Sequence, residues 1–249
     1  MHGVLVFLAA LFLSAFSLSK GQGAEIKVLS ANAVKEAVTD LAARFEQSTG
    51  HKVTLAWAGT EAAAQRVAKG EAVDIVIIGS ANIDKLIADG KLAARSRKDF
   101  AKSGVGVAVR TGIDKPDISS GAGVKRAILA AKSIAYSSGP SGFLVAEMIR
   151  KMGISDEIKD RVKQPPSGTQ ISDLLARGEA DIGFQQVSEL FKRTGISYLG
   201  PLPSDIQVLT VYAIGLHPQA APEAAAAFLA FLTASGAAPA IREMGMDPG

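Results

Sequence analysis

The chain has no cysteine, which excludes a disulfide framework, a thiolate metal site and a lipidated amino-terminal cysteine. Its three histidines are scattered: His2 at the start, His51 before an expected strand and His217 ahead of Pro218. They do not suggest a histidine-based metal site, and neither a metal nor another cofactor is expected. Charge of one sign is also scarce. Lys and Arg number 27 against 24 Asp and Glu, with the two signs interspersed. No basic block or basic–aromatic stripe points to nucleic acid. Long apolar runs are missing but for one, residues 4–16, interrupted only by Ser14. That run is too short for a membrane span, which needs about 20 residues. Small and polar residues follow, with Gly21 and Gly23 in a small-x-small pattern. Residues 1–23 therefore read as a signal peptide, cleaved near Gly23 or Ala24, that sends the chain to the periplasm. An uncleaved amino-terminal anchor is the alternative.

What remains is an alternation of strands and helices. Residues 26–29, 53–57 and 74–78 read as buried strands. Helices over 34–46, 61–69 and 83–88 follow them, ended by Gly50, Gly70 and Gly90. Such βα units imply a mostly parallel sheet with helices on both faces. The rhythm changes at 104–110 (GVGVAVR), a strand followed by a Gly- and Pro-containing loop. Helices are expected over 124–131, 143–152, 155–161 and 171–176, and strands over 133–136 and 181–184. A long apolar strand, 207–216, precedes two Ala-rich helices over 222–233 and 238–244. The fold class is α/β: two doubly wound lobes joined by a strand hinge. Residues 24–105 plus 206–249 form lobe 1, and 106–205 form lobe 2. A single sheet domain is the alternative.

In open α/β sheets, ligands bind beyond the carboxyl ends of strands, at helix amino termini. Six loops qualify: 30–33, 58–61, 79–82, 137–142, 166–170 and the pair Gln185–Gln186. They are rich in Gly, Ser, Thr, Asn and Gln and mostly uncharged. Backbone N–H groups at a helix start, where the macrodipole is positive, suit an anion. Each such residue also has a simpler role as a helix cap.

Four blocks carry a resemblance: IKVLSANAVKEAVTDLAARFEQSTGHKV, AVDIVIIGSANIDKLIADGKL, IAYSSGPSGFLVAEMIRKMGI and ARGEADIGFQQVSEL. In order and spacing they resemble the type II periplasmic solute-binding proteins of ABC transporters, most of all their molybdate-binding-like branch. The resemblance implies a ligand trapped between two closing lobes and a membrane permease as partner; nothing in the chain indicates oligomers, and a monomer is expected. Matched position by position, it implies ligand contacts at Thr60, Ser141, Gly142 and Gly168, with Thr169 beside it, and at the position of Gln186, with Ser30 and Asn32 as nearby polar substitutes; Gly59 and Gln185 join them from the candidate loops. Two positions depart from the pattern. Ala33 stands where a molybdate binder resembles this chain but carries serine, and Gln186 stands in place of a tyrosine. The ligand expected is therefore a small anion, a molybdate-like oxyanion or a small carboxylate. A related enzyme of similar fold, aconitate isomerase, offers a second reading. It needs a general base, for which Glu61 is the first candidate and Glu189 and Tyr136 are others. Arg110, at the expected hinge, and Trp57 read as surface and core residues.

Overall fold

The computed structural model describes residues 23–219 and 222–249; the expected signal peptide lies outside them except for Gly23. The chain opens with β1 (Glu25–Ala31), a 3-10 turn (Asn32–Val34) and α1 (Lys35–Thr49), then β2 (Lys52–Ala58), α2 (Thr60–Ala68), β3 (Ile75–Gly79) and α3 (Ser80–Ala88). Helix α1 buries Ala37, Val38, Leu41, Ala42 and Phe45 along one face, and Gly50, at φ 76°, ends it in a left-handed turn that a side chain would oppose. Strand β3 is buried at every residue, as its unbroken apolar run requires.

The long strand β4 (Lys98–Arg110) leads into α4 (Gly121–Ala130), β5 (Ile134–Tyr136), α5 (Pro140–Lys151) and α6 (Ser155–Ile158). Then come β6 (Val162–Lys163), α7 (Ile171–Ala176), β7 (Ile182–Gln186), α8 (Val187–Leu190) and β8 (Ile196–Pro201). The chain closes with β9 (Leu209–Leu216), α9 (Pro222–Thr233), α10 (Ala238–Glu243) and β10 (Asp247–Pro248).

The strands run in the order β2-β1-β3-β9-β4-β7-β5-β6, with β8 and β10 also pairing β4. Parallel pairs occur where βα units repeat, β1 with β2 and β3, and β5 with β6 and β7. The centre of the sheet is antiparallel, contrary to the mostly parallel expectation: β9 runs against β3 and β4, and β4 against β7 and β8. The reason is that β4 and β9 carry the chain between lobes and so run counter to the repeating units beside them.

Strand β4 joins the two halves. Its residues 98–104 pair with β9, and 105–110 pair with β7 and β8. One core gathers around Phe45 and Phe228, whose rings lie 4.8 Å apart, with Ile77 and Tyr212. A second gathers around Val107, Ile128, Val145 and Phe184. The structure is thus an α/β fold of two lobes hinged on a shared strand.

Gln207 clamps the crossing. Its Oε1 accepts from the N–H of Val105 (2.9 Å) and Val208 (3.0 Å), and its Nε2 donates to the carbonyls of Val105 (3.0 Å) and Leu202 (3.3 Å). A Cβ on Gly104 would stand 2.8 Å from Gln207 Nε2, so glycine there makes room for the clamp. Gln207→Ala removes this partner from the Val105 N–H and the Leu202 carbonyl, while the Val105 carbonyl keeps the Leu202 N–H, and is expected to cost about 2 kcal/mol of stability, read from urea unfolding.

Candidate functional site

The carboxyl ends of β1 and β2 face the loops that open α5 and α7, and a small cavity lies between them. It is lined from one side by Asn32, Ala33, Gly59, Thr60 and Tyr212, and from the other by Ser137, Gly139, Pro140, Ser141, Ser167, Gly168, Gln185, Gln186 and Glu189. Its free volume is little more than that of a water molecule, because the two sides touch. Asn32 Nδ2 donates to the Gly168 carbonyl at 3.1 Å. A Cβ built on Gly59 would stand 2.5 Å from both the carbonyl carbon and Oγ of Ser167, and one on Gly168 would stand 2.9 Å from the Gly59 nitrogen. The lobes are closed on one another.

Two helix starts meet at this cavity. Helix α2 begins at Gly59 and α5 at Gly139, and neither N-cap residue supplies a side-chain hydrogen bond. The first-turn N–H groups have no acceptor within their own helix, and the positive ends of both dipoles point at the cavity. Thr60 and Ser141, 3 % exposed each, add hydroxyls. Pro140 at the first position of α5 needs no N–H acceptor, which suits that start.

Of the other residues expected to contact a ligand, the structure places Asn32, Gly59, Gly168, Gln185 and Gln186 on the cavity wall with Thr60 and Ser141. Ser30, Gly142 and Thr169 lie outside it. Ser30 is wholly buried in β1, its hydroxyl turned toward the Ala31 carbonyl at 3.5 Å. Gly142 packs against the Ser137 carbonyl so closely that no Cβ would fit. Thr169 faces inward to the loop: its N–H donates to the Pro166 carbonyl (3.1 Å) and its own carbonyl accepts from Gln185 (3.1 Å).

The two glutamines on the wall are themselves committed. Gln185 Oε1 accepts from the Ile171 N–H at 2.8 Å, capping α7. The Gln186 amide lies at the hinge, its oxygen accepting from the hydroxyls of Thr210 (2.8 Å) and Tyr212 (3.3 Å) and its nitrogen donating to the carbonyls of Ser103 (3.1 Å) and Gly104 (3.2 Å). It therefore ties both crossing strands to the cavity floor.

Ser137, Gly139 and Ser167, from two of the expected ligand loops, complete the wall with Tyr212, which lies in none of them. Tyr212 sits inside an apolar strand where nothing marks it. Glu189, weighed only as a base, is the one acidic residue among those lining the cavity. It is 7 % exposed. Its Oε1 accepts from the amides of Gln185 (3.0 Å) and Gln170 (3.2 Å). Burial pushes its carboxyl up to about 7, a rise that the two amides and the Arg193 charge offset only in part. Burial, and then the charges of Glu189 and Glu61, hold the Tyr212 hydroxyl well above its ordinary value, so it stays a neutral donor.

Glu61 lies beside the site. It lines an adjoining, wider cavity with Asn82, Pro140, Phe143 and Leu209, and its Oε2 is buried without a partner. Tyr136 is packed in the second lobe's core. Arg110 pairs with Asp181 at 3.3 Å at the far end of β4, and Trp57, half-buried, has the Lys35 ammonium 5.9 Å from its ring.

A family model described as bacterial extracellular solute-binding protein matches residues 26–247. The chain is 33 % identical to an aconitate isomerase of a Pseudomonas species, over 97 % of this chain and 95 % of that protein. It is 27 % identical to the molybdate-binding protein ModA of Azotobacter vinelandii, over 69 % of this chain and 68 % of the relative. Among solved structures, the periplasmic molybdate-binding protein of Azotobacter vinelandii superposes with a TM-score of 0.77 at 21 % identity, covering 90 % of this chain and 99 % of that one.

Proposed function

The chain belongs to the bacterial extracellular solute-binding protein family, and from that premise we propose that it captures a small anion between its lobes in the periplasm and delivers it to an ABC-type permease. One observation carries the reading: two uncapped helix starts, those of α2 and α5, converge on one cavity with the Thr60 and Ser141 hydroxyls beside them. Donors of this kind neutralise an anion without a counter-ion. Entry requires the lobes to part, and residues 24–105 plus 206–249 move as one body against 106–205. A ligand that touches both bodies favours the closed form by its differential affinity.

Isothermal titration with molybdate, sulfate, citrate and cis-aconitate tests the reading, and no heat with any of them counts against it. Thr60→Ala and Ser141→Ala are each expected to weaken binding about tenfold, while a distant surface change such as Lys85→Ala leaves it unchanged.

A second reading has its own observation. A relative that aligns over nearly the whole chain is an isomerase, and a buried carboxyl poised near neutrality lines this cavity. In that reading the cleft moves a proton along an unsaturated tricarboxylate, with Glu189 as the base and helix N–H groups holding the carboxylates. Proton NMR of cis-aconitate mixed with the protein decides it. Turnover lost in Glu189→Gln but kept in Glu61→Gln supports Glu189 as the base, and the reverse supports Glu61.

A further inference from the structure

Glu189 is out of place in a cavity built to attract anions. An ionised carboxylate offers only acceptors, and an anion beside it would meet like charge at close range with little water between. Yet the side chain is fixed there. Gln185 and Gln170 both donate to Oε1. Gln185 is locked in turn by the Ile171 N–H and the Thr169 carbonyl. No described residue hydrogen-bonds Oε2, which belongs to a residue on the cavity wall. Two donors on one oxygen and none on the other leave Oε2 able to carry a proton.

We propose that Glu189 determines the specificity of the cleft by meeting the bound anion as a carboxylic acid that donates its proton to a ligand oxygen, so that the site selects carboxylates, with their basic oxygens, over sulfate-like anions. This rests on the anion reading above and narrows its ligand class. Each anion that arrives fully ionised brings one proton with it from solvent when Glu189 is ionised in the empty protein.

The surroundings agree. On α8 and its following turn the charged neighbour is Arg193, whose Nε donates to the Glu189 carbonyl at 3.2 Å. From β9, the neutral Tyr212 hydroxyl faces the group, and Glu61 of α2 acts on that same hydroxyl. Strand β7 and the turn Asn32–Val34 carry no titratable side chain. Of the remaining neighbours of α8, helix α7 offers Asp173, which is exposed, β8 offers the half-buried Tyr198, and β4 carries its charges at residues 98, 99, 102 and 110, away from the cavity wall. No cation is placed to hold Glu189 ionised on the cavity side among the described residues. Its position near neutrality follows from burial.

The test is calorimetric titration of the full mature chain with cis-aconitate and with sulfate at pH 6 and pH 8, each in two buffers of different ionisation enthalpy. At pH 8 the wild type is expected to take up close to one proton per anion, and at pH 6 close to none. Glu189→Gln, which keeps the shape and an acceptor for the amides, is expected to take up none at either pH. Its preference for cis-aconitate over sulfate should shrink about tenfold. Binding by the wild type without proton uptake at pH 8 overturns the assignment, and so does uptake that survives in Glu189→Gln. The wild-type measurement needs no variant to fold. Binding of sulfate but not of cis-aconitate also overturns the assignment, and absence of heat with all four anions of the panel above removes the anion reading itself, an outcome distinct from binding without a proton.

Discussion

Replacing Gly59 with alanine is expected to leave the protein folded and to weaken ligand binding about a hundredfold. The backbone of Gly59 sits at φ −65°, ψ 152°, a conformation open to any residue, so alanine introduces no strain in its own lobe. The nearest atoms its Cβ would meet all belong to Ser167, the carbonyl carbon and Oγ at 2.5 Å and the carbonyl oxygen at 2.6 Å. Two of the three are backbone and cannot rotate away. The methyl group therefore acts only on closure, holding the lobes apart by the width of one carbon and separating the α2 and α5 starts between which the proposed anion sits. Thermal melting should change by no more than a few degrees, while titration reports the lost affinity and small-angle scattering a more open particle. Unchanged affinity would mean that the closed arrangement is not the binding form. Gly168 offers a poorer test, because its φ of 92° makes any side chain costly regardless of the contact.

Glu189 is expected to make the protein less stable as pH rises, a trend opposite to that of the paired surface carboxylates. The folded carboxyl sits near 7, above its ordinary 4.5. The folded state therefore keeps a proton that the unfolded chain has released. The contribution is fully present below about 4.5 and is lost as pH rises through about 7, on the order of 3 kcal/mol across that window. Ion pairs such as Arg66–Glu71 and Arg150–Glu147 lower their carboxylates and act in the other direction, so the wild type alone does not isolate the effect. The difference in unfolding free energy between the wild type and Glu189→Gln does. It should favour the wild type most at pH 4.5 and shrink by about 3 kcal/mol by pH 8. Parallel curves would show that the buried carboxyl titrates as an ordinary one.

The order of strands and helices was legible because each βα unit pairs an apolar run with a periodic stretch and a terminating glycine. The chain from β1 to α3 has these boundaries within a few residues of expectation. Strand β4 was half hidden: residues 98–103 carry Lys98, Asp99 and Lys102 and lack an apolar run, though Phe100 and Ala101 bury fully. Strand β8, which ends in Gly200 and Pro201, was not expected, and it forms by pairing with β4. The site was legible as a set of loops, since small and hydroxyl residues at helix starts follow from local chemistry. Which of them face the cavity depends on lobe closure, which no local pattern encodes. Ser30 and Asn32 differ by two residues, yet Ser30 ends inside the sheet and Asn32 reaches across to Gly168. Tyr212 and Glu189 come together from β9 and α8, and only the interleaving of the two crossing strands puts them side by side.

That interleaving also constrains how the protein is made. Strand β9 lies between β3 and β4 in the finished sheet, although the whole second lobe separates β4 from β9 in the chain. The first lobe cannot close its sheet while the chain is still being synthesised through the second. Its central pairings span long stretches of sequence, a topology that slows folding because loop closure must precede the contacts that reward it. The second lobe, continuous from the end of β4 through β8, faces no such delay. A newly made chain thus has its inserted half ready to fold first and its outer half waiting for the last strand, so it stays unfolded longest in the lobe that carries both chain ends.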